Sequence, residues 1–328
     1  MELFAPPLAL LVAVLTCRAL LLPVLRRWFL DEPNARSLHV QPVPRTGGIG
    51  IILGGTAAAL LLRLDGAAPM VLLAGMLAAL SLLDDWKGLS ASARFLAHLV
   101  AALALVLSGG WWGSWSWSPA VVALIVLGIV WTTNLYNFMD GADGLAGGMA
   151  VFGFGTYAVA AWSAGDTQLA LLSASISASA LGFLLFNFPP AKMFMGDVGS
   201  IPLGFLAAGM GLMGWKSELW PLWFPVVAFA PFVVDATVTL GKRVLRRERI
   251  WQAHRSHYYQ RQVLMGWSHR QLALAEYTLM GAGASVALVS LQLRASYAYL
   301  LLVGLGLVYL AVMASIDVRW AKRGTASA

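Results

Sequence analysis

Residues 119–147 read PAVVALIVLGIVWTTNLYNFMDGADGLAG, an apolar run that ends abruptly in polar residues and glycines. The segment 119–137 is long enough to cross a bilayer, since a membrane helix needs about 20 largely apolar residues. Amide and carboxylate side chains then recur at every third position: Asn134, Asn137, Asp140 and Asp143. Ionisable groups at the end of a span are costly and indicate function. The alternative is a polar loop that simply stops the helix.

The composition is that of an integral membrane protein. Of the 328 residues, 59% are apolar and 11% are charged, whereas soluble domains carry about 25% charged residues. No long polar region is present that would fold separately, so we predict one integral membrane domain over residues 1–328. Cys17 is the one cysteine, which excludes an intrachain disulfide and a cysteine metal site.

Apolar segments predict an all-α, polytopic bundle of about 11 transmembrane helices. The first segment lacks a basic flank and a small-residue cleavage site, so we predict that it is a retained span. Helices are expected because backbone groups in lipid must be paired within the segment. The predicted spans are 7–26, 46–64, 69–83, 94–108, 119–137, 145–163, 167–187, 200–214, 220–240, 271–292 and 296–316.

The basic residues set the predicted orientation. All but four of the 22 Lys and Arg residues belong to the loops after odd-numbered spans or to the C-terminal tail. Because basic loops stay in the cytoplasm, we predict a periplasmic N-terminus and a cytoplasmic C-terminus. The net charge of +7 then reflects topology and anionic ligands, with no need for nucleic acid.

Most of the acidic residues fall on the same predicted cytoplasmic side: Asp31, Glu32, Asp84, Asp85, Asp140, Asp143, Asp197, Glu248 and Asp317. Asp235 lies within a predicted span, nearer that side. Spans gathered into a bundle would bring these groups together. We therefore predict an active site built from the cytoplasmic loops 27–45, 84–93, 134–144, 188–199 and 241–270.

Two of these loops carry acids suited to a cation. Asp84 and Asp85 are adjacent, and adjacent carboxylates repel unless a cation or a proton joins them; a solvated pair is the alternative. Asp197 lies between Gly196 and Gly199 just before a span. Mg²⁺ favours one or two carboxylates together with phosphate oxygens and water, so Asp197 is a candidate metal ligand.

Basic and aromatic residues of the same loops could contact phosphates or a base. In the first loop Arg36, His39 and Arg45 could bind phosphate, or could be ordinary flanking charges. Phe194 could stack on a base, or could pack at the membrane interface.

His254 and His257 would share a face if the 241–270 loop were helical there. The pair could bind zinc, but no third soft ligand follows it. Contacts to a diphosphate beside Arg255 and Arg261 fit better. We predict that His98 is a hydrogen-bonded residue within the helix bundle and that His269 is a loop residue.

Together these motifs resemble the polyprenyl-phosphate N-acetylhexosamine-1-phosphate transferase family, also known as glycosyltransferase family 4. The motifs that carry the resemblance are Asp84-Asp85, Asn134-x-x-Asn137-x-x-Asp140-Gly-x-Asp143-Gly-Leu-Ala, Phe194-Met-Gly-Asp197-Val-Gly-Ser200 and His254-x-x-His257. The first loop, Asp31-x-Pro-x-x-Arg36-x-x-His39, is similar to the branch that initiates O-antigen chains. The related phospho-MurNAc-pentapeptide translocase has a triple-His run where this chain reads His-Arg-Ser-His-Tyr-Tyr.

The resemblance implies an Mg²⁺-dependent enzyme, with Mn²⁺ as a substitute. Such an enzyme transfers N-acetylhexosamine 1-phosphate, from GlcNAc or a related sugar, from a UDP-sugar to undecaprenyl phosphate and releases UMP. The expected setting is the cytoplasmic face of the bacterial inner membrane, at the first membrane step of O-antigen or cell-envelope polysaccharide synthesis. Membrane lipid is an expected partner and a homodimer is a candidate assembly.

The resemblance also implies roles for individual residues. Asp197 would be the chief Mg²⁺ ligand, and Asp84 or Asp85 would orient the acceptor phosphate or complete the metal shell; the sequence does not choose between them. The residues expected to be catalytic are Asp84, Asp85, Asp140, Asp143 and Asp197. The residues expected to bind substrate are Arg36, Lys87, Arg94, Asn134, Asn137, Asn187, Lys192, Phe194, His254, Arg255 and His257.

A membrane transporter or flippase is the alternative function, with the acids as ion-coupling residues. Transporters place ionisable groups near the bilayer midplane and are often built from inverted repeats. In this chain the acids gather at one predicted face and no repeat is visible in the sequence. The pattern therefore favours the enzyme.

Overall fold

The computed structural model describes residues 1–26, 30–32, 38, 42–63, 66–108, 118–249 and 254–326, and it is almost entirely helical. The prediction of an all-α protein is confirmed. The helices are α1 (Ala5–Leu20), α2 (Pro23–Arg26), α3 (Gly47–Leu62), α4 (Ala68–Lys87), α5 (Ala91–Leu107), α6 (Pro119–Phe138), α7 (Leu145–Ser163), α8 (Thr167–Asn187), α9 (Asp197–Lys216), α10 (Trp223–Ala228), α11 (Ala230–Leu245), α12 (Tyr258–Leu264), α13 (His269–Gln292) and α14 (Ala295–Ala326). A short antiparallel ribbon joins β1 (Leu30–Asp31) to β2 (Val43–Pro44).

Within the described ranges, 8 helical segments are long and apolar enough to cross a membrane. They confirm a polytopic membrane protein, but fewer spans pass this test than the sequence predicted. The predicted spans 46–64 and 94–108 correspond to the shorter apolar helices α3 and α5, of 16 and 17 residues. The predicted span 220–240 is divided into α10 and α11, because a new helix begins at Ala230 with Pro231 in its first turn.

Small residues allow α1, α3 and α8 to pack closely. On α1, buried small residues recur at every fourth position from Ala5 to Cys17. On α3, a Cβ atom added to Gly54 would lie 2.5 Å from the Ala9 carbonyl oxygen and 2.5 Å from Ser179 Oγ. Helices in lipid associate mainly through such close packing, because lipid tails supply no hydrophobic driving force between them.

Backbone hydrogen bonds join the start of α3 to the turn before α9. The Gly47 N–H donates to the Phe194 carbonyl at 2.9 Å, and the Gly48 N–H donates to the Met195 carbonyl at 2.9 Å. The Phe194 N–H donates in turn to the Pro44 carbonyl at 2.8 Å. These main-chain hydrogen bonds therefore fix the start of α3 relative to the turn before α9, independently of side chains.

Two glycines bring the same two helices into direct backbone contact. A Cβ atom added to Gly48 would lie 2.3 Å from the Gly199 backbone nitrogen and 2.4 Å from its Cα. Such distances leave no room for a side chain. Because Asp197 is the first residue of α9, this contact fixes the position of the Asp197 carboxylate relative to α3.

Hydrogen bonds and ion pairs between helix ends define one end of the bundle, which gathers the last residues of α4, α6, α8, α11 and α14 and the first residues of α3, α5, α7, α9 and α13. We call this end the site end. Contacts across it join α4 to the 42–46 segment, α6 to α9, and α7 to the end of α8.

The contact between α3 and α9 predicts that Gly48→Ala lowers the melting temperature of the protein in detergent. The added methyl group must push the two helices apart, and overpacking of this kind costs about 1–3 kcal/mol. Gly55→Ala on the same helix is the matched control, because its Cβ would meet nothing closer than Ile176 at 3.8 Å. Thermal unfolding followed by circular dichroism measures both variants, and equal melting temperatures would contradict the close contact.

Candidate active site

A cavity of about 440 Å³ opens at the site end and is lined mainly by polar residues; we call it the polar cavity. It gathers side chains from the ends of α6 and α8, from the starts of α9 and α13, and from the loops between them. The residues predicted from sequence that line it are Arg94, Asn137, Asp140, Asp143, Asn187, Phe194, Asp197 and His254. The structure thus brings together three of the four motifs, which are far apart in the chain, and Asp84 of the fourth pairs with Arg94 of the cavity wall.

A second cavity, of about 640 Å³, lies beside the first and has a more apolar lining; we call it the apolar-lined cavity. Its walls include Phe95, Phe138 and Leu240, and also the predicted residues Asn134 and His257. Five residues line both cavities: Arg94, Asn137, Asp197, His254 and Gln260. Asp197 therefore stands where the two cavities meet.

The two adjacent acids at the end of α4 have different surroundings. One oxygen of Asp84 accepts the Leu89 N–H at 2.6 Å, and the other pairs with the Arg94 guanidinium at 3.2 Å. Asp85 pairs through Oδ1 with Arg45 at 3.2 Å, while its buried Oδ2 has no hydrogen-bond partner within the described part of the chain. Asp84 therefore anchors the turn after α4, whereas Asp85 retains a free carboxylate oxygen.

Asn137 and Asp140 connect the end of α6 to the start of α9. Asn137 Oδ1 accepts a hydrogen bond from Ser200 Oγ at 2.7 Å, and the Asn137 side chain also bonds to Asp197. Asp140 accepts the Gly196 N–H. Gly196 has a φ of +71° and its Cβ would lie 2.3 Å from the Arg45 carbonyl oxygen, so this turn requires glycine.

Asp140 ionises near neutral pH. Burial and then the negative charge of Asp197 raise the pKa of Asp140 from its ordinary value of 3.8 to about 7. The hydrogen bond from Gly196 lowers the pKa but only partly offsets these effects, and Asp31 adds to the repulsion. A cation in the cavity would favour the ionised carboxylate, since opposite charge lowers a carboxyl pKa.

Asp143 and Asn187 hold the walls of the polar cavity together. Asp143 pairs with His269 Nδ1 at 3.0 Å and accepts the Ala191 N–H at 3.0 Å. The Asn187 side chain accepts the Gly144 N–H at 2.9 Å. One oxygen of Asp143 thus holds the 188–196 loop, and the other holds the start of α13. His269, predicted to be a loop residue, is the first residue of α13 and lines the cavity.

The histidine loop differs from the helical face that the sequence predicted. α12 begins only at Tyr258, with His257 as its N-cap, so His254 precedes the helix and the predicted helical pairing is wrong. The two rings nevertheless stack, with centroids 4.9 Å apart. Burial and the neighbouring His257 and Arg243 lower the pKa of His254 to about 4, so this ring is neutral at pH 7.

Several predicted substrate-binding residues lie away from the cavities. Lys87, Lys192 and Arg255 are exposed and line neither cavity, and Lys87 lies 5.6 Å from the centre of the Trp86 ring. Asn134 faces the apolar-lined cavity and donates to the Val130 carbonyl of its own helix. The prediction for Arg36 falls outside the described residues.

His98 also departs from expectation. It is buried and bonds to Asn134, but its Nδ1 has no partner within the described residues, and the ring lines the apolar-lined cavity. It is therefore a further polar group at the cavity wall, where the sequence predicted a satisfied residue of the bundle.

These features define a multi-pass membrane protein with an acidic cavity at one end of its helices. The family described as Glycosyl transferase family 4 matches residues 67–215. The chain is 31% identical to the probable undecaprenyl-phosphate N-acetylglucosaminyl 1-phosphate transferase of Bacillus subtilis, over 94% of this chain and 91% of that one. It is 31% identical to the decaprenyl-phosphate N-acetylglucosaminephosphotransferase of Mycolicibacterium smegmatis, over 76% and 72% of the two chains. It is also 32% identical to a phospho-N-acetylmuramoyl-pentapeptide-transferase of Synechococcus sp., over 80% and 84%.

The chain belongs to glycosyl transferase family 4. The resemblance seen in the sequence motifs is thereby confirmed, and the match extends well beyond those motifs to nearly the whole length of the Bacillus subtilis relative.

The raised pKa of Asp140 predicts a pH-dependent stability in buffer free of divalent cations. Between the ordinary value of 3.8 and about 7, the carboxyl is charged in the unfolded chain and neutral in the folded one. Folding therefore becomes less favourable as the pH rises through this range, and the change levels off above it. Asp140→Asn should remove this contribution, on the order of a few kcal/mol, and so raise the melting temperature at pH 8 more than at pH 5.

Melting temperatures measured at both pH values test this, with Asp166→Asn as the control. Asp166 caps α8 at its other end by accepting the Leu169 N–H at 2.9 Å, a role that asparagine preserves. Equal effects of Asp140→Asn at the two pH values would contradict the raised pKa.

Proposed function

We propose that the protein transfers N-acetylhexosamine 1-phosphate from a UDP-sugar to polyprenyl phosphate. An oxygen of the acceptor phosphate attacks the phosphorus that bears the sugar, the bond from that phosphorus to the bridging oxygen breaks, and UMP leaves. The observation that carries this proposal is the meeting of the polar and apolar-lined cavities at Asp197. The names of the relatives support a polyprenyl phosphate as the acceptor and N-acetylglucosamine phosphate as the group transferred.

The two cavities suit two different substrates. A nucleotide diphosphate is charged and soluble, which matches the polar cavity with Arg45, Arg94 and several amides. A polyprenyl chain is apolar and remains in the membrane, which matches the cavity walled by Phe95, Phe138 and Leu240. Residues shared by both cavities would then contact the phosphates of both substrates, bringing the reacting groups together.

We propose Mg²⁺ as the cofactor, with Mn²⁺ able to replace it. No three His, Cys, Asp or Glu side chains of the described chain form a ready-made metal group, but Mg²⁺ needs only one or two carboxylates together with phosphate oxygens and waters. The acids present fit this requirement: Asp197 and Asp140 lie close enough to repel, and Asp85 Oδ2 is buried with no hydrogen-bond partner among the described residues. When bound, the ion offsets the charge of the diphosphate and polarises it.

Asp197 is the chief ligand in this proposal, and the free oxygen supports Asp85 over Asp84 as the second. Asp84 instead holds Arg94, whose guanidinium lines both cavities and would orient the acceptor phosphate. A phosphate monoester is largely ionised at neutral pH, with a second pKa of about 6. The acids therefore act by orienting and by holding the metal, and no strict general base is required.

The remaining residues are assigned by the cavity they face. We propose that Asn187 and Phe194 contact the uracil, and that His254 and His257 contact the diphosphate or the sugar. Asp140, Asp143, Asn134 and Asn137 shape the surroundings of the nucleotide and metal. The exposed Lys87, Lys192 and Arg255 stay as predicted substrate contacts, as does Arg36, which falls outside the described residues.

For the membrane arrangement, we propose about 11 spans, with α3, α5 and the α10–α11 pair crossing as short or broken helices. In this proposal the protein lies in the bacterial inner membrane with a periplasmic N-terminus. The site end faces the cytoplasm, where UDP-sugars are made. The basic residues near the ends of α11 and α14 support this orientation. We also propose that the product begins an O-antigen or similar envelope polymer and that the enzyme works among membrane lipids, with a homodimer as its candidate assembly.

The protein in nanodiscs, given undecaprenyl phosphate, Mg²⁺ and a panel of radiolabelled UDP-N-acetylhexosamines, should yield butanol-extractable label that excess UMP reverses. Asp197→Asn should lower UMP release by at least about 10³-fold, since it removes the residue that positions the metal and diphosphate. The variant should still insert and purify normally, and Asp166→Asn should retain full activity.

Chelation provides the matching test of the cofactor. EDTA should abolish turnover of the wild-type protein, and added Mg²⁺ or Mn²⁺ should restore it. Full turnover by Asp197→Asn would contradict the metal assignment, and activity that survives EDTA would contradict the Mg²⁺ requirement.

A further inference from the structure

A buried carboxylate beneath the histidine loop takes no direct part in either cavity. Asp235 lies on α11, is 7% exposed and lines neither the polar nor the apolar-lined cavity. Its oxygens nevertheless accept four hydrogen bonds. The donors are Thr239 Oγ1 at 3.0 Å, the Tyr258 N–H at 3.0 Å, the Tyr259 N–H at 3.0 Å and His257 Nδ1 at 3.1 Å.

These bonds explain why a carboxylate is tolerated at this depth. A buried polar group is costly unless it is hydrogen-bonded, and Asp235 is fully engaged. Two of its donors are the first backbone N–H groups of α12, which have no partner within that helix. The third is the ring of His257, the N-cap residue, so a single carboxylate fixes both the helix and the histidine that precedes it.

The bond to His257 also decides which ring nitrogen carries the proton. A carboxylate can only accept, so Nδ1 must donate and therefore holds a hydrogen. Nε2 then carries no hydrogen and can only accept a hydrogen bond, because the partner of one ring nitrogen determines the tautomer of the other. The His257 ring lines the apolar-lined cavity together with Asp197 and His254.

Aromatic neighbours hold the plane of the same ring. His254 stacks on one side with a centroid distance of 4.9 Å, and Phe138 lies 6.3 Å away. The Tyr259 hydroxyl donates to the Phe138 carbonyl at 3.1 Å and joins α12 to the end of α6. The ring therefore has a fixed plane and, through Asp235, a fixed direction.

We propose that Asp235 is a positioning residue for the transfer reaction, acting through His257 by fixing the tautomer and the direction of its ring, so that Nε2 presents an acceptor to a hydroxyl group of the sugar. This inference rests on the proposed function, in which His257 contacts the diphosphate or the sugar. The proposal predicts that Asp235 affects turnover although it lies outside both cavities, so that closeness to the substrate would not explain the effect.

A second carboxylate supplies a matched control, because it also holds α12 without touching His257. Asp317 on α14 pairs with the Arg261 guanidinium at 2.9 Å and accepts from the Tyr258 hydroxyl at 3.0 Å. Asp317→Asn should lower the melting temperature and leave turnover per folded enzyme unchanged. Comparison of Asp317→Asn with Asp235→Asn therefore separates the effect of lost α12 packing from the effect of lost His257 orientation.

The test is a double-mutant cycle on UMP release with Asp235→Asn, His257→Gln and the double variant. Asp235→Asn should lower kcat by about 10- to 100-fold, the range typical for loss of the partner that orients a functional histidine. The double variant should be no slower than His257→Gln alone, because Asp235 acts through that ring. Multiplicative losses in the double variant, or an equal loss in Asp317→Asn, would overturn the proposal.

Nitrogen NMR of ¹⁵N-histidine-labelled protein gives a readout that needs no turnover. At pH 8 the His257 signals, identified by their loss in His257→Gln, should show Nδ1 protonated in the wild type. In Asp235→Asn the side-chain amide can donate to Nδ1, so the proton should move to Nε2. An Nε2-protonated ring in the wild type would overturn the inference. A wild type with the Nδ1-protonated ring but no UMP release from any sugar would instead overturn the proposed function.

Discussion

Repulsion among carboxylates is the constraint on which this structure depends. Acids from three separate helix ends meet at the site end, and burial makes each charge more costly. Arg45 and Arg94 pair with two of them. Burial, and then the negative charge of Asp197, raise the pKa of Asp140 to about 7. An excess of negative charge remains, which a divalent cation and basic contacts to a ligand would offset. The acids in question are Asp84, Asp85, Asp140 and Asp197.

The scaffold holds these acids together with main-chain contacts. Bonds from Gly47 and Gly48 to the carbonyls before α9 register two loops against each other, and the contact of Gly48 with Gly199 permits no side chain between them. Side-chain bonds then join α6 to α9 through Asn137. Rigid helix ends, rather than long flexible loops, thus determine where Asp197 lies. This rigidity suits phosphoryl transfer, in which positioning accounts for most of the catalysis.

Much of the fold and of the site could be predicted because both follow from local sequence. Lipid demands apolar segments with internally paired backbones, so the helices lie close to where hydropathy places them. The acid motifs stand at span ends and therefore had to converge. Short helices were harder to judge: α3 has 16 residues and is apolar, yet falls below the usual length of a span.

Side-chain contacts between residues that are distant in the chain could not be predicted from the sequence. Asp84 and Asp85 look alike in sequence, but Asp84 pairs with Arg94 and accepts the Leu89 N–H, whereas Asp85 pairs with Arg45. His269 reaches Asp143 across 126 residues, and no local pattern marks that pairing. The helical face assigned to the histidine pair was wrong because His257 caps α12 instead of lying within it.

The central claim is that a divalent cation and a nucleotide diphosphate meet at Asp197. Anomalous diffraction from crystals grown with Mn²⁺ and UMP tests this directly. The account predicts one anomalous peak within about 2.0–2.3 Å of an Asp197 oxygen, a distance near that of octahedral Mg²⁺, with the nucleotide in the polar cavity. A bound nucleotide with the Mn²⁺ peak elsewhere, beyond the reach of Asp197, would contradict it.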